Sequence, residues 1–283
     1  MSVFRRLTRI DVRLIYLVLA VSILLPMFFP VGIPVAKSVH AIRLYDEFRS
    51  LPEGSAVIFS ADFPLAAKVD LKPMIEVMVD LALQKGYRLI VMGLWEEGAG
   101  LIAEWTQPIF ARHEAVYGVD YIIIGYVPQP YDWLEKSRKD IREAWHQVDA
   151  YGKPLAGFSV LEGIDSAQDI TAVLSFSYGD PGYVHWMQYW RATGVCDCVY
   201  ALSSEVNMVV TWLQQALYSA SSIQGIVRGL GGAATLEAMH GVVGGAHAEF
   251  DMQSFAHLTI LFFVILGNIG YLGRLYKIAR HRK

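Results

Sequence analysis

The chain has little cysteine, no glycine-rich phosphate cradle and no positive excess in its middle, and each absence narrows what it can do. Two cysteines in 283 residues cannot build a multi-bridge disulfide framework. Cys196 and Cys198 form a Cys-x-Cys in an apolar stretch, where strand alternation puts both thiols on one sheet face. The expectation is buried strand cysteines, since no further cysteine supports a bridge or a soft-metal site. No Gly-x-Gly-x-x-Gly follows the first predicted strand, and no Gly-x-x-x-x-Gly-Lys-Ser/Thr occurs, so no nucleotide cofactor is expected. Gly157-Phe-Ser159-Val-Leu161 lacks the second glycine of a nucleophile elbow. Between residues 37 and 254, 15 Lys and Arg face 26 Asp and Glu, a charge of about −11. That balance denies nucleic acid the basic footprint its phosphates need.

What the chain does have is apolar residues. They make up 54% of it, with a mean hydropathy of +0.35. Residues 14–35 and 255–272 are uncharged apolar runs. Eighteen residues at helical rise reach roughly 27 Å, close to a bilayer core. Arg5, Arg6, Arg9 and Arg13 precede the first run; Arg274, Lys277, Arg280, Arg282 and Lys283 follow the second. The positive-inside rule then predicts tails 1–13 and 273–283 in the cytoplasm and the middle of the chain outside it. A cleaved signal peptide is the alternative for the N-terminus. The long apolar region opposes it, as does Pro34 at −3 of the only small-residue site, Pro34-Val35-Ala36. Pro26, Pro30 and Pro34 predict that the first helix stops near Leu25 and leaves the membrane irregularly.

Residues 36–205 read as an α/β domain. The clearest unit is 55–97: an apolar strand over 55–60, a helix over 71–86 with Met74, Val77, Met78 and Leu81 on one stripe, then a strand over 87–95. Continuous apolar strands separated by helices indicate a parallel sheet covered on both faces. Further strands are predicted near 121–124, 170–176 and 195–202. Helices are predicted over 36–51, 99–117, 131–148, 183–193 and 206–219, and 151–168 is read as a lid or surface loop. The fold class is therefore a three-layer Rossmann-like domain of about five mostly parallel strands, flanked by transmembrane helices. Residues 206–254, rich in small side chains, read as a membrane-proximal helical segment. Gly229, Gly232, Gly267, Asn268 and Gly270 are its candidate contacts, and those of the second span, for membrane or partner packing.

An open parallel sheet binds ligands beyond its strand carboxyl ends. The candidate ligand residues there are Ser60, Asp62, Trp95, Glu96, Ser177, Asp180, Ser203 and Glu205. Their carboxylates suit a cation or an acid/base pair, although polar loops and helix caps have the same composition. No metal site and no catalytic residue is assigned. Glu237-Ala-Met-His240 is a single Glu-x-x-His, and His240 and His247 are read as interfacial or capping.

Leu51-Pro-Glu-Gly-Ser-Ala-Val-Ile58, Leu71-Lys-Pro-Met74 with Lys85-Gly86, Gly93-Leu-Trp95, and residues 223–234 carry a resemblance over about residues 40–235. Together they resemble an uncharacterised group of membrane-anchored bacterial α/β proteins. The resemblance implies a fold and an anchoring pattern, and no activity. The leading expectation is an extracytoplasmic structural or interaction subunit of a membrane assembly, in contact with the bilayer and with other subunits or itself. A small-ligand or cation sensor and a carboxylate-dependent hydrolase are the alternatives.

Overall fold

The computed structural model describes residues 10–29, 31–34, 38–145, 147–196, 198–204 and 225–280. They form two compact units, one of residues 35–246 and one of residues 1–34 with 247–283. Chain order begins α1 (Val12–Phe28), α2 (Val39–Arg49), β1 (Ala56–Asp62), α3 (Lys68–Gln84), β2 (Arg88–Gly93) and α4 (Glu96–Arg112). It continues β3 (Tyr121–Tyr126), α5 (Pro130–Lys136), α6 (Ile141–Ala144), β4 (Ala172–Ser177) and α7 (Tyr183–Trp186). It ends β5 (Cys198–Ser203), β6 (Gly225–Arg228), α8 (Gly229–His240) and α9 (Gly245–Arg280).

Six strands make one all-parallel sheet in the order β3-β2-β1-β4-β5-β6. This is the Rossmann order, whose direction switches between β1 and β4. All seven residues of β1 are buried, as a central strand covered on both faces requires. Alternate side chains serve the two faces. Phe59 meets Phe48 of α2 on one, while Ile58, Ile90, Ile122 and Val173 join the core under α5, α6 and α7 on the other. The helix α3 forms because Leu71, Met74, Met78 and Leu81 bury one stripe, and Lys72 and Glu76 pair at 3.4 Å on its wet side. On the opposite face four indoles cluster: Trp186 and Trp190 at 4.8 Å between centroids, with Trp133 5.7 Å and 6.0 Å from them and Trp145 6.3 Å from Trp133.

The expectation of about five strands is corrected to six. The extra strand, β6, lies in the small-residue stretch, where four residues beginning with glycine give no readable periodicity. Gly225 is there because α2 presses on the strand: a Cβ would stand 2.4 Å from Leu44 Cβ. Gly232 lets α8 approach β6, since its Cβ would stand 2.7 Å from Val227 Cγ1. Gly229 and Gly232, expected at a membrane or partner face, are thus buried inside the domain.

The helix predicted over 131–148 is two short helices, because the Asp140 side chain accepts from Glu143 N at 2.8 Å and restarts the helix there. Residues 151–168 are not a lid: Val160, Leu161, Ile164 and Ala167 are buried in the core. The helix predicted over 183–193 is α7 followed by a π turn at Met187–Arg191. Cys196 is buried and precedes β5. The helix predicted over 206–219 lies outside the described residues.

In the second unit, α9 runs 36 residues, about 54 Å at helical rise. Its segment Gly245–Tyr276 is long and apolar enough to cross a membrane. It includes the expected span 255–272, and residues 245–254 are its first turns rather than part of a separate segment. Gly267 and Asn268 are exposed on it, the Asn268 amide donating to Val264 O at 2.8 Å, and Gly270 is buried. The first expected span, 14–35, is corrected to a 17-residue helix, α1, shorter than the ~20 residues an untilted bilayer crossing takes. It stops before Pro30, because the residue preceding a proline is forced out of the helical region.

Candidate functional site

The polar residues expected at the carboxyl edge of the sheet do converge there, and they converge on Asp62. Its carboxylate is 0% exposed at the end of β1, beside the switch between β1 and β4. Ser60 Oγ donates to Oδ1 at 2.6 Å and Leu94 N at 3.1 Å; Ser175 Oγ donates to Oδ2 at 2.6 Å and Trp186 Nε1 at 3.2 Å. Burial pushes the Asp62 carboxyl up to about 6, against the pull of these four donors. Two glycines allow the backbone to close in here. A Cβ on Gly93 or Gly98 would lie 2.7 Å from Ala61 O.

A Rossmann-order sheet takes its ligand at this crevice. Here the buried indole of Trp186, carried by α7, stands against the Asp62 carboxylate. The loop leading into α7 is latched across the edge: Trp95 Nε1 donates to Pro181 O at 2.8 Å and Tyr178 N to Asp62 O at 2.9 Å. Ser203 Oγ donates to Ser177 O at 3.1 Å, and Ser177 Oγ is buried with no partner among the described residues. Glu96 is exposed at the start of α4, and Asp180 is exposed on the loop, its Oδ1 3.8 Å from His185 Nδ1. Burial holds the His185 imidazole below its ordinary value, with Asp180 opposing. The three carboxylates Asp62, Glu96 and Asp180 therefore do not share one enclosed pocket. Glu205 lies outside the described residues.

A second polar centre, which the sequence reading missed, sits on the helical layer of the first face. Asp80 of α3 takes four side-chain donors. Arg112 and His113 (Nε2, 2.7 Å) meet Oδ1; Gln84 Nε2 (2.5 Å) and His240 Nε2 (2.6 Å) meet Oδ2. Tyr45 of α2 bonds His240 Nδ1 at 2.9 Å. The neutral imidazole protonated at Nε2 satisfies both bonds, with the phenol donating to Nδ1. Burial raises the Asp80 carboxyl, but the bonds from His113, His240 and Arg112 outweigh it and hold it at about 2. One carboxylate thus ties α2, α3, α4 and α8.

Beside it opens a groove of about 550 Å³, walled by Pro73, Val77, Trp105, Pro108, Ile109 and Val242. The Arg112 side chain is 63% exposed at this centre. The two imidazoles and the Arg112 guanidinium meet the carboxylate as hydrogen-bond partners. Among the described residues no group of three His, Cys, Asp or Glu is arranged to hold a metal ion. Glu237 accepts from Gly244 N and Ala246 N at 3.2 and 2.9 Å, capping the turn after α8. Gly241, at φ +76, ends α8 one residue after His240, so His240 and His247 do not share a helix face.

Set against known protein families, curated proteins and solved structures, the chain matches none.

Proposed function

We propose that the protein is a membrane-anchored extracytoplasmic α/β subunit that acts as an interaction component of a membrane assembly. The observation that carries this reading is that its own buried indole and carboxylate, Trp186 and Asp62, are bonded to each other at the edge where such a sheet would take a ligand. The long apolar helix α9 and the basic residues at both chain ends support anchoring. The topology proposed is two-pass, with both termini cytoplasmic and residues 37–254 outside. Extraction of native membranes in mild detergent is expected to bring the protein out with other subunits or as a self-assembly. A clean monomer at native expression would sink the reading.

The groove beside Asp80 favours ligand binding as a second reading. It offers apolar walls and an exposed guanidinium, the composition of small-molecule sites. A thermal-shift screen of small carboxylates and phosphates tests it: a hit must disappear in Arg112→Ala and persist in Glu96→Gln.

A further inference from the structure

The second unit contains a contact that neither the sheet nor the groove explains. Asp251, near the start of α9, is 0% exposed, and its carboxylate accepts three consecutive backbone N–H groups from the segment after α1. Val31 N and Gly32 N reach Oδ2 at 2.7 Å each, and Ile33 N reaches Oδ1 at 2.8 Å. The chain brings these successive amides onto one anion by turning through a left-handed residue, Gly32 at φ +69. The partners lie about 220 positions apart in the chain. The contact therefore exists only while both ends belong to the assembled protein.

The two helices also run side by side. Ile15 and Leu19 of α1 line one groove with Thr259, Ile260, Phe263 and Val264 of α9. Residues 31–33 meet residue 251, whereas residues 15–19 meet 259–264, so the order reverses and the pair is antiparallel. A buried carboxylate that loses its donors is strongly unfavourable, more so beside lipid, where water is scarce. Cleavage after the first apolar helix would leave Asp251 in that state.

We propose that α1 is a permanent structural partner of α9, locked to it by Asp251 in the Val31–Gly32–Ile33 amide cradle, and that residues 1–34 stay attached in the assembled protein. This rests on the membrane-anchored reading. The full chain is expressed and its membranes are collected, and intact mass of the extracted protein is expected to include residues 1–34. A protein absent from the membrane fraction defeats the anchored reading, whereas a membrane-bound protein that begins after residue 34 defeats only the lock.

The lock itself is tested by disulfide formation between Leu19→Cys and Phe263→Cys in a Cys196→Ala, Cys198→Ala chain. An intramolecular bond is expected in the parent and a loss of yield in Asp251→Ala. A Cβ at Gly32 would meet nothing within 4 Å, so Gly32→Ala acts through φ alone and should lower the yield roughly five- to tenfold. Gly32→Asn, which tolerates the left-handed region, should restore much of it. Where Asp251→Ala fails to accumulate, the glycine pair decides. Equal yields in parent, Gly32→Ala and Gly32→Asn, or bonds only between chains, would overturn the proposal.

Discussion

Asp62 and Asp80 each hold four hydrogen bonds, yet they sit at opposite extremes of carboxylate behaviour. Asp62 has lost all its water, and its donors are two hydroxyls, an amide and an indole, none of them charged. Asp80 keeps 12% of its side chain exposed, and its donors include a guanidinium and two imidazoles. Neutral donors lower a carboxyl's pKa only modestly, and desolvation overrides them at Asp62. At Asp80 one cationic partner, Arg112, together with the two imidazole bonds and residual water, wins. The comparison shows that donor count does not set a buried acid's charge state; donor charge and remaining hydration do. It also separates two jobs. Asp62 binds the chain to itself at the carboxyl edge of the sheet, whereas Asp80 gathers four helices beside an open groove.

The largest effect that would break the comparison is removal of the closed centre. Asp62→Ala leaves four buried donors without an acceptor and a void under Trp186, and should destabilise the domain by about 3–5 kcal/mol. Urea unfolding of the detergent-solubilised chain, followed by tryptophan fluorescence, reads this. A loss under about 1 kcal/mol would mean that water already reaches the site.

Opposite pH dependences come next. Because the folded pKa of Asp62 is raised to about 6, the native state holds its proton more tightly than the unfolded chain. Stability should fall as pH rises from about 4 to 6, by roughly 3 kcal/mol. Asp80, held at about 2, contributes stability that is complete above pH 4. That part should be lost as pH falls from about 4 towards 2, by roughly 2 kcal/mol. Asp62→Asn should flatten only the upper slope and Asp80→Asn only the lower. Flattening of both by one variant would show that the two centres are coupled and would remove the contrast.

How much of this was legible follows from where each interaction lives. The parallel βαβ pattern, five of the six strands and the carboxyl-edge placement of Ser60 and Asp62 follow from continuous apolar runs, because strand burial is written locally. The closure by Trp186 was not legible. Its indole and Asp62 are 124 residues apart, and a Trp/Tyr-rich helix reads the same whether it caps a crevice or a surface. Asp80 was hidden for a different reason. On α3 it looks like any polar residue on a solvated face, and its partners Arg112, His113 and His240 come from two other helices. The local signal that was available is that Arg112-His113 and His240 each end a helix, where cations are favoured and where an acid on a neighbouring helix can meet them. The glycines of β6 and α8 misled because small residues permit close approach to a neighbouring helix, a sheet or lipid alike. Only the 2.4 Å approach of a Gly225 Cβ to Leu44 of α2, and the 2.7 Å approach of a Gly232 Cβ to Val227 of β6, identify the neighbours.

The smallest effect sharpens the contrast most, because it acts on Asp80 through an intermediate group. Tyr45 is 4% exposed and touches the carboxylate only by way of His240 Nδ1. Tyr45→Phe removes one hydroxyl and keeps the ring that packs edge-on against the imidazole, 6.2 Å between centroids. The expected destabilisation is about 1 kcal/mol, the net worth of one buried hydrogen bond. If Asp80 organises the helices as a charged hub, Asp80→Asn should shrink the effect of Tyr45→Phe to less than half, since the imidazole is then no longer held between phenol and carboxylate. A double-mutant cycle by urea unfolding measures that coupling. Strict additivity would mean that Tyr45 and Asp80 stabilise α2 and α3 separately, leaving Asp80 to join only α3, α4 and α8.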